Sequence, residues 1–451
     1  MNVRLFLSLA WMSAAGILAA GVAKADSVVL PEKLFPQLDG FLRQAVSRSP
    51  RMVSRDLDLD MAAEDRIQAR AGLLPSVGGY YNGSEARDQR ADISQTINER
   101  ITNYNFSVTQ PVYHWGELRN NARMGEIRDK IAHGQYQEGY RLLAQELRTK
   151  YLTLIVQKHG VTRARFNQQF TQEQLRLAED KLVKKIISDA DIFPFRLNAE
   201  RAGIDLEKAD FDYDNARQSF ARLAGMEQIR DEDIPEMIPK LAYTAGSDDQ
   251  LLADFLRLKE PPSFEAYRLR NNIVIQDLNY QNQKTRLRPK LNLVAGTTEN
   301  QFQYSLFGQQ YLDRQYFVGF QLNWTIFDGF ASQSAVRAAL ANKRQQENDY
   351  RELVSRLAQD ARSAHRQIYF SARTMAINDR FLSDAEGNLK AREDEFKRGQ
   401  VSEADVNTVK LYLMDSITNA YNSRIDYLTK VGEFLGTLNA DPVTANLPVQ
   451  K

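Results

Sequence analysis

The most informative pattern in the second half of the chain is Phe317-Val318-Gly319-Phe320-Gln321-Leu322-Asn323-Trp324-Thr325-Ile326-Phe327. Apolar and polar residues alternate along it, and this period of two separates the two faces of a β-sheet. An earlier stretch, residues 103–109, alternates in the same way. The sequence therefore predicts amphipathic strands. Their apolar side carries Tyr104, Phe106, Val108, Val318, Phe320, Leu322, Trp324 and Ile326, and their polar side carries Asn105, Ser107, Gln321 and Asn323.

The alternating stretches belong to two similar halves of the chain, displaced by 214 positions. Identities at this displacement include Phe41 with Phe255, Pro75 with Pro289, Phe106 with Phe320, and Asp191 with Asp405. Both halves have the same order of predicted elements, namely a helix, two strands and two long helices. Such self-similarity predicts two tandem structural repeats, at residues 26–225 and 263–439, with a linker at 226–262 and a tail at 440–451.

Two stretches without proline, residues 117–187 and 331–398, are rich in Ala, Leu, Glu, Gln, Arg and Lys. Their apolar residues recur at spacings of three and four, which predicts long helices with a narrow apolar seam. At 1.5 Å per residue such helices extend over about 100 Å, and rods of this length pack side by side as coiled coils. Each rod is followed by a Ser with an Asp three residues later, a pattern typical of a helix start. We therefore expect long antiparallel helical hairpins that form an α-barrel.

Composition limits the chemistry that the chain can perform. Its 59 Lys and Arg residues balance 58 Asp and Glu residues, which disfavours a nucleic-acid binder. Cys is absent, so disulfides, thiolate metal sites and Cys nucleophiles are excluded. None of the four His residues stands four positions from another, and no phosphate-binding loop, nucleophile elbow or dinucleotide fingerprint occurs. The sequence therefore predicts neither an enzyme nor a cofactor or metal site.

The N-terminus has the features of a secretory signal. Arg4 precedes an apolar run at residues 5–23, and Ala23-Lys24-Ala25 is typical of a cleavage site. We expect residues 1–25 to be a signal peptide, with an uncleaved membrane anchor as the alternative reading of an apolar run this long. No later stretch offers about 18 consecutive apolar residues, so any membrane crossing after the signal must be made of strands.

Four predicted strands are too few to close a membrane barrel. Open sheet edges are not tolerated in lipid, and the smallest membrane barrels have about eight strands. Other copies of the chain must therefore complete the sheet. Two copies would leave little lumen, whereas three would form a barrel of about twelve strands with room for water. We predict a homotrimer whose apolar face contacts membrane lipid and whose polar face lines the lumen.

Several short motifs, taken in their order along the chain, resemble the TolC family of outer-membrane efflux and secretion channels. The matching motifs are Leu74-Pro75, Thr109-Gln110-Pro111-Val112-Tyr113, Trp324-Thr325-Ile326-Phe327-Asp328-Gly329, Arg398-Gly399 with Ser402 and Asp405, and Leu435-Gly436-Thr437-Leu438-Asn439. The resemblance covers nearly the whole chain after the signal. It implies a trimer with a shared twelve-stranded barrel and a periplasmic helical tunnel. It also implies two partners, a periplasmic adaptor (membrane fusion) protein and an inner-membrane transporter.

In that family, acidic side chains on the inner hairpin ring the periplasmic aperture of the tunnel. The matching position here is Asp405, whereas the second acidic position of the family falls on Thr408. A ring of carboxylates would favour cations and resist anions. Alternatively, Asp191 and Asp405 only cap their helices, a role that does not exclude the first. The hairpin ends, where we expect an adaptor to dock, carry Lys185, Ser188, Asp191, Gly399 and Ser402.

Together these features predict an outer-membrane channel-tunnel of a tripartite efflux or type I secretion system, a passive conduit from the periplasm to the exterior of a Gram-negative-type envelope. The main alternative is a soluble periplasmic coiled-coil scaffold whose strand pairs form water-exposed hairpins. A cell-envelope enzyme that acts on glycans is a further alternative, and it would need a carboxylate pair in a cleft. The cargo stays open between drugs, metal ions, secreted protein and polysaccharide.

Overall fold

The computed structural model describes residues 29–89, 97–243, 246–304 and 309–447, and the predicted signal sequence lies outside this part of the chain. The helices are α1 (Pro31–Leu34), α2 (Pro36–Arg48), α3 (Pro50–Ala71), α4 (Glu117–Val183), α5 (Asp189–Ala224), α6 (Ser247–Arg257), α7 (Phe264–Lys284), α8 (Ala331–Lys397) and α9 (Glu403–Thr437). The strands are β1 (Ser76–Asp88), β2 (Ile97–Tyr113), β3 (Lys290–Tyr304) and β4 (Gln309–Asn323). The predicted fold class, mostly helical with four strands per chain, is confirmed.

The two halves of the chain repeat their turns as well as their helices and strands. Left-handed backbone falls at matching positions displaced by 214 residues. The pairs, with φ in degrees, are Trp115 (56) and Gly329 (64), Gly116 (88) and Phe330 (68), Lys185 (58) and Gly399 (74), and Gly225 (75) and Asn439 (52). Glycine alone adopts this conformation without a steric penalty, yet each pair contains one other residue. The repeated architecture, rather than local glycine preference, therefore imposes these turns. The predicted domain boundaries stay a prediction.

The four strands form one antiparallel sheet in the order β1-β2-β3-β4. Its central pairing joins the two halves of the chain, because Ser107 of β2 stands opposite Gly296 of β3. A Cβ atom on Gly296 would lie 2.4 Å from the carbonyl oxygen of Phe106, so glycine permits this close pairing. Within the described residues, β1 and β4 are edge strands that each pair with one neighbour.

The last strand begins and ends earlier than the alternation predicts. We expected a strand through Phe327, but β4 ends at Asn323, so Trp324 and Ile326 lie beyond the strand and their assignment to it is wrong. Asn323 pairs with Lys290, the first residue of β3. Pro289 precedes it and has no N–H with which to extend the ladder, which explains why the pairing stops here.

One compact unit comprises the described parts of residues 1–57, 134–266 and 352–451. Large side chains fill its core, among them Tyr140, Tyr151, Phe220 and Phe434. The rings of Tyr151 and Phe220 lie 5.8 Å apart in a tilted contact. The Tyr140 hydroxyl donates to the carbonyl oxygen of Leu42 at 3.1 Å, and burial raises the pKa of Tyr140 to about 12. Aromatic packing and a satisfied buried hydroxyl thus hold α2, α4 and α5 together.

Two buried ion pairs connect distant segments of the same unit. Arg148 of α4 contacts both Glu32 of α1 and Asp441, and Nη1 of Arg148 lies 2.6 Å from Oδ2 of Asp441. Arg424 of α9 contacts Asp379 of α8 at 2.6 Å, and all four partners of these two arginine–aspartate pairs are buried. Removal of one partner would leave a buried charge uncompensated, so each pair strongly constrains its segments.

The second unit comprises residues 58–133 and 267–351 and contains the sheet. A small apolar cluster of Met124, Ile127, Ile275 and Leu278 packs α4 against α7. Between α7 and α8, the Lys343 ammonium contacts Asp277 at 2.7 Å, and this hydrogen bond raises the pKa of Lys343. Within the described chain, no helix combines the length and the apolar character that a membrane span requires.

Candidate functional site

One face of the sheet, which we call the apolar face, carries the apolar members of the alternation. The register places Val108, Ala295 and Val318 side by side on three neighbouring strands. Val318 is 77% exposed although it is a large apolar residue. The described apolar side chains on this face are Val77, Tyr81, Tyr104, Phe106, Val108, Leu291, Leu293, Ala295, Leu312, Tyr316, Val318, Phe320 and Leu322. The structure thus groups the predicted lipid-facing strand residues, including Tyr104, on one surface, and only Trp324 and Ile326 lie outside the sheet.

The opposite face of the sheet, the polar face, carries short polar side chains. The Asn105 amide donates to the hydroxyl of Thr298 on the neighbouring strand at 2.9 Å. Gln321 and Asn323 lie on the same face through their pairing with Asn292 and Lys290. Amides and hydroxyls prefer water, and a sheet with one apolar and one wet face is the form that a membrane barrel requires.

A charged cluster interrupts the apolar face in a way that the sequence analysis missed. Glu299 of β3 stands between Tyr104 of β2 and Arg314 of β4, and its carboxylate accepts hydrogen bonds from both. The Gln301 amide donates to the same carboxylate at 3.2 Å, and Glu299 is only 3% exposed. The available signal was an acidic residue at an apolar position of the β3 alternation. These donors satisfy the hydrogen-bond acceptors of the Glu299 carboxylate, so its negative charge is tolerated among the apolar side chains of this face.

The two hairpin ends have the predicted helix caps. The Ser188 amide donates to Oδ2 of Asp191 at 2.9 Å, and the Ser402 amide makes the equivalent bond to Asp405 at 2.9 Å. Hydrogen bonds from the serine hydroxyls, and secondly from the serine amides, hold the pKa of both aspartates below the ordinary value of 3.8. Each carboxylate is exposed and lies at the start of a return helix, where the helix dipole favours negative charge.

Thr408 follows Asp405 by one helical turn, and its hydroxyl donates to the Ala404 carbonyl of its own helix at 2.8 Å. It therefore adds a polar but uncharged side chain next to Asp405.

At the preceding helix ends, the amides of Ile186 and Gln400 donate to carbonyls five residues earlier, at 2.9 and 3.0 Å. Both hairpins thus use the same cap, with Lys185 in the first where Gly399 stands in the second.

The end of the first hairpin exposes apolar side chains that the sequence analysis did not select. Val183, Ile186 and Phe193 are each between 65% and 83% exposed. The residues at the matching positions of the second hairpin are Lys397, Gln400 and Asn407. Comparison of the repeats position by position would have revealed this difference. Exposed apolar patches in polar surroundings are typical of interaction surfaces. The first hairpin end has such a patch at these three positions, whereas the second hairpin end has polar side chains there.

Comparison with known proteins gives a match in sequence and matches in fold. Residues 41–226 match the family model described as outer membrane efflux protein. No curated protein has a significantly similar sequence. Among solved structures, the Campylobacter jejuni CmeC outer membrane channel is 14% identical, with a TM-score of 0.67 over 92% of this chain and 90% of that one.

Two further solved structures share the fold. The outer membrane protein VceC of Vibrio cholerae is 13% identical, with a TM-score of 0.63 over 90% of this chain and 97% of that one. The open state of the Neisseria gonorrhoeae MtrE outer membrane channel is 13% identical, with a TM-score of 0.64 over 89% of each chain. At these identities the structures establish the fold, whereas the family model concerns the sequence of the first repeat.

Among the described residues, no group of three or more His, Asp or Glu side chains is placed to hold a metal ion. Polar groups that the fold brings together include the caps at the hairpin ends, the polar face of the sheet and the cluster around Glu299. The resemblance to TolC-type channels is confirmed at two levels, by the sequence of the first repeat and by a fold shared over nine tenths of the chain. This chain therefore matches the outer membrane efflux protein family in sequence over residues 41–226 and shares the fold of solved outer-membrane channels over about nine tenths of its length.

Proposed function

We propose that this protein is a trimeric outer-membrane channel, a passive conduit from the periplasm to the exterior. The observation that carries the proposal is the sheet itself, whose apolar face is exposed in the single chain while amides and hydroxyls line its polar face. A water-soluble protein rarely leaves so large an apolar surface uncovered. Lipid on one face and a water-filled lumen on the other satisfy both kinds of side chain.

Closure of the barrel by other copies of the chain follows from the two edge strands. β1 and β4 each leave one row of backbone N–H and C=O groups that hydrocarbon cannot satisfy. Pairing of β4 with β1 of the next copy satisfies both rows. Three copies supply about twelve strands, a number that leaves a wet lumen, whereas two copies supply about eight and fill it with side chains.

We further propose that the hairpin ends contact the rest of a tripartite efflux or type I secretion system. The partners would be a periplasmic adaptor protein and an inner-membrane transporter. The exposed Val183, Ile186 and Phe193 support a docking role for the first hairpin, because apolar anchors at a polar rim are typical of protein interfaces. In the second hairpin, three copies of Asp405 would form a negative ring that favours cations at the aperture.

Planar-bilayer recording of the purified trimer tests the aperture. Asp405→Ala should weaken cation preference and block by multivalent cations. Asp191→Ala is the matched control, because it removes the same helix cap from the first hairpin without a proposed pore role. If both variants behave alike, or if Asp405→Ala leaves ion preference and block unchanged, the aperture role of Asp405 is refuted.

Cell fractionation tests the channel against the scaffold alternative. A channel is recovered from the outer membrane as a detergent-resistant trimer, whereas a coiled-coil scaffold is released with the soluble periplasm as a species stable in plain buffer. Release of the intact, folded chain without detergent would overturn the proposed function. We propose no catalytic role for the capping carboxylates, and loss of an envelope glycan hydrolysis in Asp191→Ala with Asp405→Ala would contradict this.

A further inference from the structure

Two helices, α5 and α8, lie at the edges of a row of four in the compact unit that contains residues 134–266 and 352–451. α4 and α5 are the arms of the first hairpin, and α8 and α9 are the arms of the second. The hairpins meet through α4 and α9, because Nε2 of His159 on α4 lies 3.1 Å from the carbonyl oxygen of Met414 on α9. α5 and α8 are therefore the outer helices of the row.

The side of α5 opposite its buried side is apolar and exposed. Tyr213 and Phe220 are buried, and the Phe220 ring contacts α4. Ile204 and Phe211 stand nine positions before them, about two and a half turns, and so lie on the opposite side of the helix. They are 64% and 66% exposed. Exposed apolar side chains on the outer side of an edge helix indicate that a partner covers them.

α8 has an equivalent exposed side. Its buried side carries Ile368 and Asp379, and Asp379 forms the ion pair with α9. Phe370 and Ile377 each stand nine positions from one of these residues, so they lie on the opposite side of the helix. They are 52% and 50% exposed. Both edges of the row thus present an apolar side that no part of the described chain covers.

A row of like charges runs beside each apolar side, and the two rows have opposite signs. The row on α8 is Arg366, Arg373 and Arg380, and the row on α5 is Glu200, Glu207 and Asp214. Members of each row are exposed and stand seven positions apart, about 10.5 Å along the helix. Among the described residues, none of these arginines forms an ion pair, and of the α5 row only Asp214 does, with Arg217 at 3.2 Å. Equal spacing and opposite sign make the rows complementary.

The order of charged and apolar residues is also matched. Arg373 stands four positions before Ile377, and Glu207 stands four positions before Phe211. α8 runs toward a hairpin end and α5 runs away from one, so the two helices are antiparallel in copies that share an axis. Antiparallel right-handed helices that meet on these apolar sides have both charged rows on the same side of the contact.

The repeat supplies a register for this contact. A displacement of 214 positions relates α4 to α8 and α5 to α9. In a closed ring of copies, the α4–α9 contact within one chain therefore has an equivalent between α8 of one copy and α5 of the next. His159 touches two residues of α9, the Met414 carbonyl at 3.1 Å and the Tyr421 ring at 5.8 Å. The equivalents of these three residues are Arg373, Glu200 and Glu207.

We propose that the acidic row of α5 binds the arginine row of α8 in the next copy of this chain, with Arg373 seated between Glu200 and Glu207. Arg366, seven positions earlier, lies between Glu207 and Asp214. The apolar sides of the two helices pack beside these ion pairs. The inference rests on the proposed function, since it requires a closed ring of copies. It assigns a contact between copies outside the sheet, in which charge sets the register of the helices.

Arg380 takes no ion pair in this register. It faces Arg196 of the next copy, because the equivalent residues Phe166 and Lys410 are in contact at 4.7 Å. Exposed ion pairs contribute little binding energy, but like charges brought together strongly disfavour a wrong register. Arg366 and Arg373 therefore select the register, while the apolar sides supply most of the contact energy.

Disulfide cross-linking tests which sides of the helices meet. The chain has no Cys, so Phe370→Cys with Ile204→Cys introduces a single pair of thiols, one on each apolar side. A disulfide between them joins two copies, because α5 and α8 are at opposite edges of one chain. Phe370→Cys with Asp205→Cys is the matched control, since Asp205 is exposed at the same level on another side of α5. After oxidation, we expect at least fivefold more covalent dimer and trimer from the first pair on denaturing gels.

Charge reversal tests the ion pairs in the same cross-linking variant. Arg373→Glu should lower the yield of covalent dimer and trimer at least threefold at low salt, because it places like charges together. Addition of Glu207→Arg should restore at least half of the lost yield. Asp212→Arg makes the same change of charge on another side of α5 and should restore none. Restoration by both substitutions, or by neither, would overturn the proposed ion pairs.

Native mass spectrometry in detergent separates failure of the inference from failure of the proposed function. A trimer in which both Cys pairs cross-link equally, or neither does, refutes the α5–α8 contact, leaves the trimer in place and leaves both apolar sides to another protein. A chain that stays monomeric refutes the proposed trimer together with the inference. If the first Cys pair prevents assembly, Ile377→Cys with Leu197→Cys replaces it, because this pair is equivalent one step of seven positions along both helices.

Discussion

Lys185 and Gly399 occupy the same position in the two helical hairpins, and both have left-handed backbone, with φ of 58° and 74°. The amide of the following residue closes the same cap in each hairpin. The repeated cap therefore forces a lysine into a conformation that glycine adopts freely.

Lys185→Gly should stabilise the end of the first hairpin. Removal of the side chain relieves about 1–2 kcal/mol of left-handed strain, which glycine's larger conformational entropy offsets by about 0.5–1 kcal/mol. We expect slower amide hydrogen exchange at the hairpin end, by a factor of about 2–5. Gly399→Lys is the reciprocal control and should speed exchange at the second hairpin. Unchanged exchange in both variants would contradict a strained cap.

The buried Arg148 network should dominate the stability of its unit. Burial alone would lower the pKa of Arg148, but Asp441 and Glu32 raise it above its ordinary value. Arg148→Met leaves both carboxylates without their cation and should destabilise the fold by about 3–5 kcal/mol in thermal unfolding followed by circular dichroism. Arg176→Met, at an exposed pair with Glu173, is the matched control and should change stability by less than about 1 kcal/mol. Equal losses of stability in Arg148→Met and Arg176→Met would show that the buried Arg148 network is not needed for folding.

The cap at Asp405 sets the pH range in which the proposed aperture keeps its charge. Hydrogen bonds from Ser402 place the pKa of Asp405 in the folded protein below its ordinary value of 3.8. The cap therefore stabilises the fold above pH 3.8, and this stabilisation is lost as the pH falls through the lower pKa of the folded state. We expect cation preference in bilayers to fade with a midpoint below pH 3.8. Ser402→Ala removes the hydroxyl donor and should move the midpoint upward. Ser188→Ala, in the first hairpin, should leave it in place.

The two sheet faces should respond in opposite ways to the same charge. Val318→Arg places a cation on the apolar face and should cost about 2–4 kcal/mol near the bilayer centre, which reduces the outer-membrane trimer seen on unheated gels. Gln321→Arg places the same group on the polar face and should assemble normally while it lowers cation conductance. Normal assembly of both variants would argue against contact between the apolar face and lipid.

Local pattern in the sequence predicts much of this fold because it reports short-range geometry. The period of two in residues 317–323 identifies a strand with two unlike faces, and spacings of three and four identify α4 and α8. The Ser188–Asp191 and Ser402–Asp405 spacings identify both helix starts, since a cap involves residues within one turn. The same pattern overextended β4, because Trp324 and Ile326 keep the alternation after the partner strand has ended.

The element types and the segregation of apolar from polar residues follow from the amino-acid sequence, because each depends on neighbours within a few positions. The repeat follows from identities between the two halves at a displacement of 214 positions. Tertiary structure alone decided the register that sets Glu299 between Tyr104 and Arg314, the junction of Arg148 with Glu32 and Asp441, and the exposed turn beyond Asn323. These relations join residues far apart in the chain. Their free energy depends on packing and on desolvation of charge, neither of which a local pattern records.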